Sequence, residues 1–139
     1  MTIEIADSDE DIRAAFEAMR HLRDLPNAQA FLERVRQLQP DGYLLAVLDH
    51  GGEIVAAAGF RIGDKLAWGK HLYVDDLVTI PAARSKGHGK ALLSWLCDYA
   101  RSNGCAQLHL DSGAQRLDTH RFYEREGLSP SSLHFRREL

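Results

Sequence analysis

The segment 83–93, with the sequence ARSKGHGKALL, constrains the fold of this chain more than any other part of it. It lies between an apolar stretch that ends at Pro81 and the start of an amphipathic helix, and it holds Gly87 and Gly89 one residue apart. Because glycine is a poor helix former, the pair indicates either a tight turn or a backbone that must approach a ligand closely. Strand-to-helix junctions of this kind are where phosphate-binding loops occur.

Two common nucleotide-binding loops fail to match this segment. A Walker loop has Gly-Lys-Ser/Thr and a further glycine upstream. Gly89 and Lys90 fit it, but Arg84 stands at the upstream glycine and Ala91 at the hydroxyl that binds Mg²⁺. The dinucleotide fingerprint needs a third glycine, and Leu92 occupies that position. A nucleotide phosphotransferase is therefore disfavoured, and Mg²⁺-dependent ATP binding would be needed to restore it.

A third pattern does match. Residues 84–89, RSKGHG, fit the R/Q-x-x-G-x-G/A pattern of the GCN5-related N-acetyltransferases (the GNAT family). Residues 120–128, HRFYEREGL, resemble the family's F-Y-x-x-x-G-F/L signature. Either motif alone is compatible with a plain turn or a pair of core aromatics. The two together, in this order and at this spacing, make the chain similar to GNAT acetyltransferases.

The hydrophobic pattern predicts an α+β domain with a mixed sheet, and its element order βααβββαβαβ is GNAT-like. No repeat or long linker divides the chain, so residues 1–139 are expected to form a single GNAT-like domain. The predicted strands cover residues 1–6, 43–48, 53–62, 66–80, 105–111 and 132–139, and the predicted helices cover residues 9–22, 28–38, 90–101 and 114–126.

The resemblance implies that the glycine segment binds the pyrophosphate of acetyl-CoA. A helix N-terminus carries unsatisfied N–H groups and a partial positive charge. Glycines without Cβ atoms let a phosphate reach those groups, and basic side chains add positive field. The residues expected to bind acetyl-CoA in this way are Arg84, Lys86, Gly87, His88, Gly89 and Lys90.

Acetyl transfer to an amine needs a base for the ammonium, a donor for the oxyanion and an acid for the leaving thiolate. The resemblance points to the hydroxyl of Tyr123 as the acid, with Phe122 the better core residue of the pair. Asp75 and Asp76 stand in a predicted strand, where Asp is disfavoured, and they are the candidates for the base or for binding the amine. Because neighbours on a strand face opposite sides, only one of them is expected to face the site.

Other site residues follow from the resemblance or from strand and helix periodicity. Family strands bulge near the positions of Leu77 and Val78, whose N–H groups are expected to bind the oxyanion and the pantetheine arm. His71 and Tyr73 share a strand face with Asp75 and are candidates for the acceptor pocket. His120 lies three residues before Tyr123 on one helix face. The family's usual Asn that contacts the CoA arm is missing here, and Ser112, Arg116 or His120 are its candidate substitutes.

Composition excludes several classes of function. The formal net charge is −3 with mixed signs along the chain, unlike a general nucleic-acid binder. No apolar run approaches the roughly 20 residues of a membrane span, and the acidic N-terminus is unlike a targeting peptide. The seven histidines show no metal-ligand spacing, so no metal is expected. The apolar surroundings of Cys97 and Cys105 predict buried free thiols, which are unsuited to forming a covalent acetyl-enzyme. Free thiols, together with the lack of a targeting or membrane-spanning pattern, favour a cytoplasmic protein.

The sequence therefore predicts an acetyl-CoA-dependent N-acetyltransferase that acts by direct attack in a ternary complex. The acceptor would be a primary amine on a small molecule or a protein, and the acidic residues near the site slightly favour a cationic one. The alternative is a non-catalytic acyl-CoA sensor or partner-binding module with the same fold. Family members often dimerise, so a homodimer is the oligomer that the resemblance suggests, although no residue of the sequence decides it.

Overall fold

A computed structural model describes all 139 residues. Five strands form one mixed sheet in the order β1-β2-β3-β4-β5, so that sequence neighbours are also neighbours in space and β1 and β5 lie at the edges. Short 3₁₀ turns follow α2 and β4. The elements are β1 Thr2–Ile5, α1 Asp9–Met19, α2 Ala28–Leu38, β2 Leu44–His50, β3 Glu53–Lys65, β4 Gly69–Thr79, α3 His88–Ser102, β5 Gln107–Leu110 and α4 Leu117–Arg125.

The first four strands form an antiparallel meander. A two-residue turn joins β2 to β3, and both of its residues, Gly51 and Gly52, have positive φ values of 65° and 85°. That geometry suits the right-handed twist of a hairpin, which is why the Asp/Gly-type turn was predictable from sequence. The β4 strand ends at Thr79, before Pro81, whose ring cannot donate to the next rung of the ladder.

Helices cover both faces of this sheet. The face that bears Leu45, Val47 and Ala57 packs against α1 and α2 in the main hydrophobic cluster. On the other face, the ring of Phe60 lies edge-on to Tyr99 and Trp95 of α3, with ring centroids 5.4 and 6.3 Å away. We call these the α1/α2 face and the α3 face.

Local capping explains where the helices begin and end. The hydroxyl of Ser8 accepts a hydrogen bond from the N–H of Asp11 at 3.1 Å and so caps the start of α1. Asn27 caps α2 by accepting from the N–H of Ala30 at 2.8 Å. Gly104 follows α3 with φ 76°, in the left-handed conformation expected at that position.

The last predicted strand is wrong. Residues 128–139 adopt no regular secondary structure, and every side chain from Ser129 onward is exposed. The alternation of Leu133 and Phe135 fits a strand, but a strand needs a partner for its backbone groups, and within the chain this segment finds none. The helix before it, α4, also begins three residues later than predicted.

Contacts between residues divide the chain into two compact units, Met1–His109 and Leu110–Leu139. The first contains the meander, α1, α2 and α3; the second contains α4 and the irregular C-terminal segment.

Cys97 and Cys105 are free and half-buried rather than fully buried, and burial raises the pKa of the Cys97 thiol. None of the helices has the length and apolar character needed to cross a membrane.

Candidate active site

An irregularity in β4 shapes the centre of the candidate site. Gly59 of β3 pairs with Asp76, and the next residue, Phe60, pairs with Val74. Asp75 is therefore an extra residue in β4, which is the definition of a β-bulge. The family resemblance predicted a bulge near Leu77 and Val78, whereas those two residues pair regularly with Ala58 and Ala57.

The carboxylate of Asp76 lies on the α1/α2 face and is held by two donors. The hydroxyl of Tyr43 donates to Oδ2 at 2.8 Å, and Nε of Arg23 donates to Oδ1 at 2.7 Å. Gly59 makes this geometry accessible, because a Cβ there would lie 1.8 Å from the Tyr43 hydroxyl and 2.6 Å from Oδ2 of Asp76. The tyrosine thus crosses directly over a backbone that carries no side chain.

The carboxylate of Asp75 is held in a similar way. Nε of Arg61 donates to its Oδ2 at 2.8 Å, and the backbone carbonyl of Asp75 accepts from Nη2 of Arg23 at 3.1 Å. The guanidinium of Arg61 also lies over the ring of Tyr43, 5.7 Å from its centroid. Both carboxylates therefore contact residues that belong to one network.

Both aspartates contact this network, although only one of them was expected to face the site. Strict alternation holds for a regular strand, and the bulge at Asp75 interrupts it. The network also removes the sequence argument for a cationic acceptor, because each carboxylate is already paired with an arginine.

Tyr43 titrates abnormally in this setting. Burial of the phenol, followed by the negative charge of Asp76 and its hydrogen bond, raises the pKa of Tyr43 well above its ordinary value of 10. The phenol is the donor in the bond to Asp76 and stays protonated over the physiological pH range.

The glycine segment forms a loop and the first turn of α3, as predicted. Gly87 is the N-cap residue with φ 85°, and no side chain caps the N-terminus of α3. Ser85 also has a positive φ of 63°, which is uncommon for a residue other than glycine and recurs at ligand-binding turns. The first N–H groups of α3 are thus left without a side-chain partner, next to the exposed basic residues Arg84, Lys86 and Lys90.

His88 has a different role from its neighbours. Its side chain is buried, and its ring lies 5.3 Å from that of His50 at the end of β2. Only the backbone of His88 is available to a ligand at the N-terminus of α3. The residue between the two glycines therefore anchors the first turn of α3 to the sheet.

Tyr123 and His120 lie on α4 in the second compact unit. Tyr123 is half-buried, burial raises the pKa of its phenol against an opposing effect of Arg116, and its ring centroid lies 5.3 Å from that of Phe122. His120 is engaged locally, because its Nε2 lies 2.8 Å from the carbonyl oxygen of Gly113. Ser112 has a buried hydroxyl with no hydrogen-bond partner.

His71 and Tyr73 line a cleft of about 320 Å³ at the hairpin end of β3 and β4. Their cross-strand partners, Gly63 and Arg61, line it too. His71 and Tyr73 thus lie together on the α1/α2 face, whereas the bulge at Asp75 interrupts the alternation that was expected to place Asp75 with them. No group of three or more His, Cys, Asp or Glu side chains is arranged to hold a metal ion.

Sequence reasoning missed the residues that hold the aspartates. Gly59 inside a strand was the available indication, because an interior strand glycine often marks a bulge or a close approach. Arg61 could have been placed by its period-two relation to Gly59. Arg23 lies in the connection between α1 and α2, where no periodicity applies, and Tyr43 reads simply as a core aromatic.

Comparison with known proteins agrees with this architecture. The sequence model of the Acetyltransferase (GNAT) family matches residues 8–128. The uncharacterized N-acetyltransferase YhdJ of Bacillus subtilis (strain 168) is 36% identical over 134 residues, which is 95% of this chain and 94% of the relative. The glucosamine 6-phosphate N-acetyltransferase of Trypanosoma brucei brucei is 30% identical over 135 residues, covering 93% and 90%.

Solved structures give the same result. A Trypanosoma brucei acetyltransferase superimposes with a TM-score of 0.81 at 26% identity over 99% of both chains. The glucosamine-6-phosphate N-acetyltransferase of Arabidopsis thaliana gives a TM-score of 0.78 at 25% identity, again over 99% of both. The family model and the relatives cover most of the chain, including both sequence motifs. The chain belongs to the GNAT family of acetyltransferases.

Proposed function

We propose that this protein is an N-acetyltransferase that moves the acetyl group of acetyl-CoA to a primary amine of a small molecule. The amine would attack the thioester directly, in a complex that holds both substrates. The observation that carries the proposal is the open N-terminus of α3, which no side chain caps and which Gly87 enters in the left-handed conformation. Family membership supports acetyl-CoA as the molecule that binds there.

The geometry at α3 fits the pyrophosphate of acetyl-CoA. Backbone N–H groups at a helix N-terminus bind anions, and the exposed Lys86 and Lys90 flank them. In the second unit, the buried and unpartnered hydroxyl of Ser112 is typical of a polar group that a bound molecule satisfies. It is the substitute that we favour for the missing asparagine, because His120 already bonds to Gly113.

Tyr123 is the acid that we propose for the leaving thiolate. An acid must carry its proton at neutral pH, as a phenol with an ordinary pKa of about 10 does, and burial raises the pKa of Tyr123 further. A CoA thiol has a pKa near 8.5, so protonation by a positioned tyrosine helps the thiolate to leave. The resemblance of residues 120–128 to the family's F-Y signature supports this role.

The two aspartates are proposed to orient the acceptor amine. Each accepts hydrogen bonds from an arginine, so either would have to exchange that partner before taking a proton. Asp75 is the more exposed side chain, at 24% against 14% for Asp76. We therefore assign the contact with the amine to Asp75 and the anchoring of the bulge to Asp76, with N–H groups near Leu77 and Val78 as oxyanion donors.

Small-molecule acceptors are favoured by the names of relatives. The Trypanosoma brucei brucei relative is a glucosamine 6-phosphate N-acetyltransferase. An aminoalkylphosphonate N-acetyltransferase of Salmonella typhimurium is 36% identical over 66 residues, about half of each chain. Both are named for small primary amines rather than for proteins.

A non-catalytic acyl-CoA sensor with the same fold is the alternative, and turnover separates the two. The purified protein is incubated with acetyl-CoA and a panel of primary amines, and the release of free thiol is followed. We expect thiol release that depends on the amine. CoA binding by calorimetry without turnover on any amine would favour the sensor, and an absence of CoA binding would contradict both proposals.

A second copy of the chain is the protein partner that we propose. The C-terminal segment 128–139 alternates like a strand yet is unpaired, and it exposes Leu133 at 80% and Phe135 at 87%. Exposed apolar side chains on an unpaired, strand-like segment are typical of a surface that another chain covers.

A further inference from the structure

The cleft at the hairpin end of β3 and β4 contains a histidine fixed in one orientation. His71 is only 4% exposed, and its Nδ1 lies 2.9 Å from the carbonyl oxygen of Gly69, so Nδ1–H is the donor. Nε2 has no hydrogen-bond partner in the protein. Gly63, opposite on β3, lies close to the same edge of the ring, since a Cβ there would be 3.3 Å from Cε1 and 3.4 Å from Nε2. An unpartnered ring nitrogen of a residue that lines a cleft is able to accept a hydrogen bond from a ligand.

The walls of this cleft carry more positive than negative charge. Lys65 lies at the rim, with Nζ 3.8 Å from the centre of the Trp68 ring. Arg61 also lines the cleft. Its Nε donates a hydrogen bond to Asp75, and its Nη2 makes no hydrogen bond. Asp41 is the one carboxylate among the lining residues, and it is exposed. The charge of Arg61 is balanced by Asp75, so Lys65 and the free Nη2 group of Arg61 are the donors that favour an anionic occupant.

The cleft runs along β4 away from Asp75. Arg61, which lines the cleft, bonds to Asp75, so the cleft begins beside this residue. Tyr73 precedes Asp75 by two positions and His71 precedes it by four, and a strand rises about 3.3 Å per residue, which gives separations of roughly 7 and 13 Å along the strand. A molecule whose amine is at Asp75 would thus place its opposite end near His71 and Lys65.

We propose that this cleft binds an oxyanion at the far end of a hydroxyl-bearing amine acceptor. Lys65 and Arg61 supply the positive charge for a phosphate, phosphonate or carboxylate group. His71 Nε2, an acceptor in the tautomer that Gly69 fixes, takes a hydrogen bond from a neighbouring hydroxyl of the acceptor. The proposal rests on the proposed acetyl transfer and specifies its acceptor as anionic at one end.

Matched pairs of amines test the charge requirement. Glucosamine and glucosamine 6-phosphate differ only in the phosphate, and we expect kcat/KM to be about 30-fold or more higher for the phosphorylated amine, in line with charge-assisted hydrogen bonds. Ethanolamine against 2-aminoethylphosphonate, and an alkylamine against β-alanine, show which oxyanion is preferred. Equal kcat/KM values within all three pairs would overturn the proposal.

A variant pair locates the effect. Lys65→Met should lower the ratio of kcat/KM for glucosamine 6-phosphate to kcat/KM for glucosamine about 10-fold, through KM for the phosphorylated amine. Lys70→Met is the matched control, because Lys70 is exposed on β4 but directs its Nζ towards Gly104, away from the cleft. An equal response of the two variants would assign the effect to overall charge and contradict the proposal.

His71 is tested by two amides. His71→Asn keeps a donor near the position of Nδ1 and loses the acceptor at Nε2, whereas His71→Gln places an amide near Nε2. We expect His71→Asn to raise KM for the phosphorylated amine, and we expect a smaller rise in KM for His71→Gln. The thermal unfolding midpoint of each variant is measured as the control for stability. If KM rises only in proportion to the fall in the thermal midpoint, His71 has a structural role and the proposed contact with the acceptor is contradicted.

Glycerol phosphate separates this proposal from the proposed function. It carries an oxyanion and hydroxyls but no amine, so calorimetry measures its binding even if no amine is acetylated. We expect binding that Lys65→Met weakens about 10-fold and Lys70→Met leaves unchanged. Loss of all acetyl transfer with this binding intact would contradict only the proposed function, and absence of the binding would contradict the cleft proposal.

Discussion

Single residues around Asp76 are under unusual steric constraint. Gly59→Ala would place a methyl group 1.8 Å from the Tyr43 hydroxyl, and the buried ring can move only by giving up its bond to Asp76. We expect the free energy of unfolding to fall by about 2 to 4 kcal/mol, from overpacking and a lost hydrogen bond. Denaturant titration measures it. Gly63→Ala is the control, because its methyl would lie 3.3 Å from His71 and should have a much smaller effect.

Tyr43 makes stability depend on pH in the alkaline range. Its pKa is raised in the folded protein, so the folded state keeps a proton that the unfolded state releases. The stabilisation is complete below about pH 10 and is lost as pH rises above that value, at up to about 1.4 kcal/mol per pH unit. Tyr43→Phe should show a shallower decline above pH 10 in denaturant titrations. An unchanged slope would mean that Tyr43 does not titrate in this way.

Tyr123 should affect chemistry rather than binding. Tyr123→Phe removes the proton donor and keeps the ring, so we expect kcat to fall by about 10²-fold or more with CoA affinity nearly unchanged. Thiol-release assays measure kcat, and calorimetry with CoA measures the affinity. Phe122→Leu is a comparison within the same helix, expected to alter stability more than kcat. Equal rates for Tyr123→Phe and the parent protein would remove this residue from the mechanism.

At the scale of elements, the sequence predicted what depends on local patterning. Apolar periodicity located α1, α2 and the meander, and the glycine pair located the start of α3. The bulge at Asp75 escaped prediction because it depends on pairing with β3, and a single strand's sequence does not reveal its register. For the same reason, the arginines that hold Asp75 and Asp76 could not be foreseen: Arg23 reaches them from a loop that is distant in sequence.

The start of α3 gives the clearest test of an element. Gly89 lies in the first turn with an ordinary helical backbone, so Gly89→Leu suits the helix itself and should leave stability unchanged or higher by up to about 1 kcal/mol. Its side chain would, however, cover the N–H groups proposed to bind phosphate, and we expect CoA affinity to fall at least about 10-fold by calorimetry. Gly104→Leu, beyond the other end of α3, is the control for CoA affinity. Retained affinity in Gly89→Leu would make the glycine part of a turn only.

At the scale of the whole molecule, the two compact units differ in how well their apolar surface is covered. The core of Met1–His109 is enclosed by helices on both sheet faces, whereas Leu133, Phe135 and Leu139 of the second unit are exposed. The strand predicted for residues 132–139 fails within one chain because a strand needs a neighbouring backbone. The proposed homodimer would give this unpaired segment a partner.

We therefore expect the protein to form a homodimer through this segment. Light scattering coupled to size exclusion should give twice the mass calculated from the 15.6 kDa chain. Leu133→Asp with Phe135→Asp places charges on the apolar positions of the segment and should yield a monomer, because burying two carboxylates in an interface is strongly unfavourable. His134→Asp with Arg136→Asp adds the same two carboxylates at the alternate positions, where they would face solvent, and should leave the dimer intact. A monomeric parent protein, or equal dissociation in both double variants, would exclude this interface.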